Sequence, residues 1–300
     1  MNRLDLESVV YILARFSKCE LAGEKTLMSN SELVDIHCHI IPGIDDGAKS
    51  AVVALAMARL AVEDGISTII ATPHQLGSYA HNSGQMIRQR TAELQEQLVA
   101  NGIPLKVLPG ADVRIEPDMI DRLRSGDVLT LGDYGQHVLL ELPHEIYFPL
   151  ESVLESLKAN GMTGILSHPE RNQGLIKQPE LIAPLVERGC LMQVTAGSFM
   201  GTFGSQSQAI AEWMVQQSLV HFVATDAHGY KSRRPLLKRA FDRVSQLMSE
   251  EIALNVCCRN PVAVADGVDL EKVTQKAHTA KVKILTGSAG HGLPERNRRV

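Results

Sequence analysis

His37 and His39 stand two positions apart in the run Asp35-Ile36-His37-Cys38-His39, just ahead of Pro42-Gly43-Ile44-Asp45-Asp46-Gly47. Leu33-Val34 in front make the run a short buried strand entering a Gly/Pro-rich loop. Alternate side chains on a strand share a face, so both imidazoles point one way, roughly 6.5 Å apart along the backbone, and Cys38 points the other. Such a pair can converge on one cation, with a loop aspartate as a hard oxygen ligand. Taken alone, two histidines at this spacing fit a packed or solvent-facing pair equally well.

The placement of the other polar residues decides between these readings. His74 follows the apolar run ending at Thr72, and Asp112 follows the one ending at Leu108. Glu141 closes Val138-Leu139-Leu140, His168 follows Ile165-Leu166-Ser167, and Asp226 and His228 follow Val220 to Thr225. Five of the 11 histidines are used this way. A pocket holding that many imidazoles and carboxylates needs cations, and the mixed N/O donor set suits Zn, Mn or Fe. The ligands are too many for one ion, so two or three ions are expected. Clustered metal ions activate water and clamp the oxygens of a phosphoryl displacement.

The elements that must position these groups alternate. Strand patterns at 33–37, 67–72, 105–108, 138–141, 163–167, 191–195 and 220–225 are separated by helical runs at 50–64, 82–101, 150–160, 179–188, 206–217 and 233–248. This is the signature of parallel β/α units closed or nearly closed into a barrel, whose strand C-terminal ends share one functional face.

Composition bounds the rest. The chain has 300 residues, 44% of them hydrophobic, and a formal net charge of −4, which gives no basic field for nucleic acid. Five cysteines, two of them adjacent, make no disulfide framework and fit a reducing, cytoplasmic setting. No uncharged apolar run is long enough to span a membrane. A cysteine-dependent phosphatase needs an arginine six positions after its nucleophile, and those positions hold Lys25, Ile44, Ala196, Ala263 and Val264. Neither a G-x-S-x-G elbow nor a phosphate-binding P-loop is present. Residues 1–31 read as an N-terminal extension, either a docking helix around Leu6 to Phe16 or a consequence of an upstream start before Met28. Residues 32–285 read as one domain and 286–300 as a disordered tail.

The ordered set Asp-x-His-x-His with Asp-Asp-Gly, then Thr-Pro-His, Gly-Ala-Asp, Leu-Glu, Ser-His-Pro-Glu-Arg and Thr-Asp-Ala-His-Gly resembles the polymerase-and-histidinol-phosphatase (PHP) superfamily. Within it the chain is similar to bacterial metal-dependent protein-tyrosine phosphatases of capsule and exopolysaccharide operons. The resemblance implies a distorted (β/α)7 barrel with its metal site at the strand C-terminal ends, and two or three metal ions, usually Mn2+. It further implies that His37, His39 and Asp226 hold one metal and Glu141 and His168 a second, bridged by Asp112, while Asp46, His74 and His228 hold a third. Arg171 and Arg233 match the phosphate-binding arginines, with Arg234 adjacent. The bridging residue of relatives is usually glutamate, so Asp112 is a departure, shorter by about 1.5 Å. The implied substrate is a phosphotyrosine protein, a membrane-associated tyrosine kinase being the expected partner. The alternatives are a histidinol-phosphatase-like small-molecule phosphoesterase and a catalytically weakened phosphotyrosine-binding module.

Overall fold

A computed structural model of the protein describes residues 32–268 and residue 270. The expected extension at 1–31 and tail at 286–300 lie outside the described residues.

The strand-helix alternation read from the sequence is present. In chain order the elements are β1 (Leu33–Cys38), α1 (Ala51–Asp64), β2 (Ile66–Ala71), β3 (His74–Gln75), α2 (Gly84–Ala100), β4 (Lys106–Pro109) and β5 (Asp112–Arg114). They continue with α3 (Met119–Ser125), β6 (His137–Glu141), α4 (Glu151–Ala159), β7 (Thr163–Ser167), α5 (Gln173–Lys177), α6 (Ile182–Glu187) and β8 (Leu191–Thr195). Last come α7 (Ser205–Gln216), β9 (Phe222–Ala224), α8 (Lys238–Leu247), α9 (Glu250–Leu254) and α10 (Asn260–Ala265). Local chemistry explains the boundaries. Ser50 accepts a hydrogen bond from Val53 N at 3.4 Å to start α1, whose Ala54, Met57, Ala58 and Ala61 recur at helical spacing and are buried. All six residues of β1 are buried, as strands covered on both faces require.

Among the described residues every pairing between these strands is parallel, in two sheets ordered β1-β2-β4 and β3-β5-β6-β7-β8-β9. The ladder joining β2 to β4 ends at the pair Ala71–Pro109, and Pro73 precedes β3. Neither proline has an N–H to give, which is why the pairing breaks there and resumes as β3 against β5. The two sheets also meet at the far side. Cys38 bridges Ala227 in parallel, Asp226 N donates to His37 O at 2.7 Å, and His39 N donates to Ala227 O at 2.9 Å. Val34, Ile36, Ile70, Leu139, Ile165 and Phe222, from strands of both sheets, form one buried cluster with Val264 of α10.

Several elements differ from the sequence reading. His74 and Asp112 lie on short strands of their own rather than in loops. The last long helix starts at Lys238, not near Arg233, because Pro235 drives the residue before it out of the helical region. Residues 250–265 are helical beyond the expected end. A π turn at Asn255–Arg259 sits just ahead of Pro261, whose missing N–H widens the ladder.

Candidate metal centre

A β-bulge builds the first part of the site. Between Asp35 and Cys38 the register of β1 against β2 slips, β1 carrying one more residue than its partner. Such a bulge re-aims side chains, and here it lets Ile36 join the strand-interior cluster while His37 turns to the site. His37 Nε2 and His39 Nε2 then lie 3.2 Å apart, both side chains fully buried. Cys38 faces the opposite way into the main core, as the alternation predicts. The other ring nitrogens are engaged. His37 Nδ1 lies 2.8 Å from Gln193 Oε1, and His39 Nδ1 lies 2.7 Å from Asp45 Oδ2. An amide oxygen and a carboxylate only accept, so each Nδ1 carries the proton and each Nε2 presents a bare lone pair.

Carboxylates and further imidazoles close around those lone pairs. Asp226 Oδ1 is 3.4 Å from Nε2 of both His37 and His39, and Asp112 Oδ2 is 3.5 Å from His37 Nε2. His228 Nδ1 lies 3.0 Å from the Asp226 carbonyl, which leaves its Nε2 lone pair facing Asp46 Oδ1 at 3.3 Å. His74 reaches Asp46 through Nε2 at 3.4 Å, and Asp112 and Glu141 through Nδ1 at 3.4 and 3.5 Å. Donor atoms around one cation at about 2.1 Å sit roughly 3 to 3.5 Å apart. These spacings have that character.

The nine side chains expected as ligands are all brought together, in four overlapping groups. These are His39–Asp46–His74–His228, His37–His39–Asp112, His37–His168–Asp226 and His74–Asp112–Glu141. The grouping differs from the pairing the resemblance implies: His37 and His39 group with Asp112, and His39 also joins Asp46, His74 and His228. Glu141 sits with His74 and Asp112, whereas His168 sits with His37 and Asp226.

The donor set fits divalent cations. Asp112 is fully buried, yet neither of its carboxylate oxygens has a hydrogen-bond partner. A buried charge left this way is expensive unless something positive answers it. Burial, aided by the Asp112 charge, pushes Glu141 up to about 7. Burial opposes protonation of His39, but hydrogen bonds to Asp226 and Asp45 raise it to about 10, so its Nε2 lone pair is taken by a proton unless a metal ion holds that place. His168 is held well below its usual range by burial and then by Arg171, so it is a neutral imidazole able to ligate.

Backbone geometry fixes the groups in place. His168, Asp226 and Arg233 have positive φ values of 37°, 50° and 45°, unusual for residues with side chains and typical of sites under constraint. In the loop carrying Asp45 and Asp46, a Cβ on Gly47 would come within 2.1 Å of His39 O, so only glycine lets the loop fold over β1. Asn82 ties that loop down, its amide donating to Ile44 O at 3.0 Å and to His74 O at 2.9 Å.

Both expected arginines reach the site. Arg171 Nη2 and Arg233 Nη2 donate to Asp226 Oδ2, Arg233 at 2.6 Å. The two guanidinium carbons lie 4.4 and 6.0 Å from the centre of the Phe203 ring. Arg234 instead lines a neighbouring cavity.

Three supporting residues were not singled out by sequence. Asp45 and Gln193 orient the two central imidazoles. Asp35 accepts from Thr225 N, Thr225 Oγ1 and His37 N, clamping the end of β1 to the strand that delivers Asp226. Asp45 and Asp35 stand inside the motif; Gln193 has no signal in the sequence, being 156 positions from its partner.

Comparison with known proteins agrees with this geometry. Residues 33–266 match the family described as capsular polysaccharide synthesis, CpsB/CapC. A tyrosine-protein phosphatase of Bacillus subtilis, YwqE, is 39% identical over 67% of this chain and 79% of its own length. A putative tyrosine-protein phosphatase of Staphylococcus aureus, CapC, is 30% identical over 73% of this chain and 87% of its own. A solved structure from work on YwqE and on CpsB of Streptococcus pneumoniae, described as metal-dependent tyrosine phosphatases, superposes with a TM-score of 0.76 at 34% identity. That match covers 79% of this chain and 96% of the solved one. With a family match spanning the whole of the metal centre, the chain belongs to the CpsB/CapC family of capsular polysaccharide synthesis.

Proposed function

We propose that the protein is a metal-dependent phosphatase that hydrolyses phosphotyrosine in proteins. The observation that carries this reading is the convergence of His37 Nε2 and His39 Nε2, 3.2 Å apart and fully buried, on the oxygens of Asp226 and Asp112, with both Asp112 oxygens making no hydrogen bond and two arginines alongside. Asp46, His74, Glu141, His168, Asp226 and His228 would complete the metal ligands. Manganese is the ion we favour, and a donor set of nitrogen and oxygen without thiolate supports it over ions that seek sulfur. Bound cations supply Lewis-acid activation of water and charge neutralisation for phosphoryl transfer.

The protein's own groups do the remaining work. His39 and His37 are locked in one tautomer by Asp45 and Gln193, so their lone pairs need no reorganisation. Arg171 and Arg233 neutralise the phosphoryl oxygens. Neither Nε makes a hydrogen bond, the Arg171 one lying 4.0 Å from Glu170 Oε1, which leaves donor capacity for an incoming anion. A tyrosine leaving group, with a pKa of about 10, needs little proton assistance, which suits a site with no obvious general acid.

We further propose that the two sheets wrap as a distorted (β/α)7 barrel, with β2–β3 and β4–β5 each counted as one interrupted strand. The contacts of Cys38 and Asp226 across the far side support that closure. The physiological substrate would be a phosphotyrosine protein of capsule or exopolysaccharide synthesis, with a membrane-associated tyrosine kinase the partner we favour. Among the described residues no helix is long and apolar enough to cross a membrane. Cys38, Cys190, Cys257 and Cys258 are unbridged and buried, which supports a cytoplasmic setting. The relatives above carry the name tyrosine-protein phosphatase, a putative one in the case of CapC, and the small-molecule alternative is not favoured.

Turnover of a phosphotyrosine peptide tests the reading. Excess chelator should abolish phosphate release and manganese restore it. Arg171→Ala should keep its metal yet lose about 100-fold or more in kcat/KM, the scale of one oriented donor at a developing charge. Unchanged turnover in chelator would overturn the proposal.

A further inference from the structure

A cavity of about 290 Å³ opens beside Phe203 at the edge of the metal centre, with Arg233 in its wall. Its charge is one-sided. Lys231, Arg233, Arg234 and Arg239 line it, and no acidic residue does. Arg233 is committed to Asp226. Lys231, Arg234 and Arg239 are exposed and form no ion pair among the described residues. Three unanswered cations around one small cavity repel one another, in a chain whose net charge is −4. At about 300 Å³, the low end for ligand cavities, there is room for a side chain rather than a whole cofactor. Phe203 forms a shared wall, since its ring also lies 4.4 Å from the Arg171 guanidinium carbon.

We propose that this cavity is a subsite for a second anionic side chain of the substrate, close in sequence to the phosphotyrosine whose phosphate occupies the metal centre. The proposal rests on the function proposed above. Phosphate at Arg171 and Arg233 brings the flanking residues past Phe203, where Lys231, Arg234 and Arg239 receive a carboxylate or a second phosphate. The specificity expected is for tyrosines in acidic or multiply phosphorylated segments. Phosphoserine alone would not qualify by this subsite, because the cavity reads the neighbour and not the scissile group.

The manganese-loaded protein is assayed on four substrates: p-nitrophenyl phosphate, a phosphotyrosine peptide with neutral neighbours, the same peptide with glutamate neighbours, and one with a second phosphotyrosine. The acidic peptides should be turned over with kcat/KM about tenfold above the neutral one, as for one charge-assisted hydrogen bond in a partly exposed site. Arg234→Ala and Arg239→Ala should lower that ratio toward one and leave p-nitrophenyl phosphate hydrolysis unchanged. A gain confined to the doubly phosphorylated peptide assigns the cavity to phosphate; a gain shared by the glutamate peptide assigns it to anions generally. Equal kcat/KM for neutral and acidic peptides, or a preference that survives in both variants, would overturn the subsite while leaving the phosphatase reading intact. Failure to hydrolyse any of the four substrates would instead count against the phosphatase reading itself.

Discussion

His37 Nε2 and His39 Nε2 face each other across 3.2 Å of fully buried interior, each with its Nδ1–H donated elsewhere. Two lone pairs cannot hydrogen-bond to one another. The contact makes sense only with a positive charge between the rings, either a proton or a metal ion, and the nearby oxygens of Asp226 and Asp112 favour the metal.

Asp45 is not one of the nine expected ligands, yet it fixes the tautomer of His39 and receives the His74 backbone N–H at 3.3 Å. Asp45→Ala should therefore weaken metal binding by about 10- to 100-fold, the usual loss when the residue behind a ligating imidazole is removed. Competition against a fluorescent chelator measures it. An affinity equal to wild type would show that His39 needs no support.

Asp112 should matter more to the metal-loaded protein than to the stripped one. In metal-stripped protein its buried carboxylate makes no hydrogen bond and is answered only by the His37 and His74 imidazoles at 3.5 and 3.4 Å, so Asp112→Asn should shift the melting temperature little. In metal-loaded protein the same change should lower it, by the equivalent of about 1–3 kcal/mol, because a charged ligand is lost. Calorimetric scans of both proteins with and without chelator give four values. An equal shift in both states would contradict the reading.

His221 supplies a pH dependence remote from the site. Its Nδ1 accepts from Met192 N at 3.1 Å, and burial pushes the group down to about 4. The unfolded chain binds this proton more tightly, with a pKa near 6.5. Stability from this residue is thus full above about 6.5 and is lost as pH falls toward 4, on the order of 2 kcal/mol. Denaturant unfolding of wild type and His221→Gln across that range should show a smaller acid loss in the variant.

The metal centre was legible because strand periodicity and strand ends are local features. Alternation alone put His37 and His39 on one face, and the apolar runs marked where His74, Glu141, His168 and Asp226 would emerge. What stayed hidden depends on contacts distant in sequence. Gln193 meets His37 across 156 positions, and Asp35 meets Thr225 across 190. The split of the sheet at Pro73 and Pro109 needed pairing partners as well as prolines. The short strands β3 and β5 were missed because two or three residues carry no period.

Metal titration into stripped protein, with bound manganese and phosphate release from a phosphotyrosine peptide followed on the same sample, tests the central claim most directly. The expected result is that release appears only as two or three ions bind per chain, and that a His37→Ala protein binds fewer and releases none. Phosphate release from the stripped protein, or wild-type turnover in His37→Ala, would contradict it.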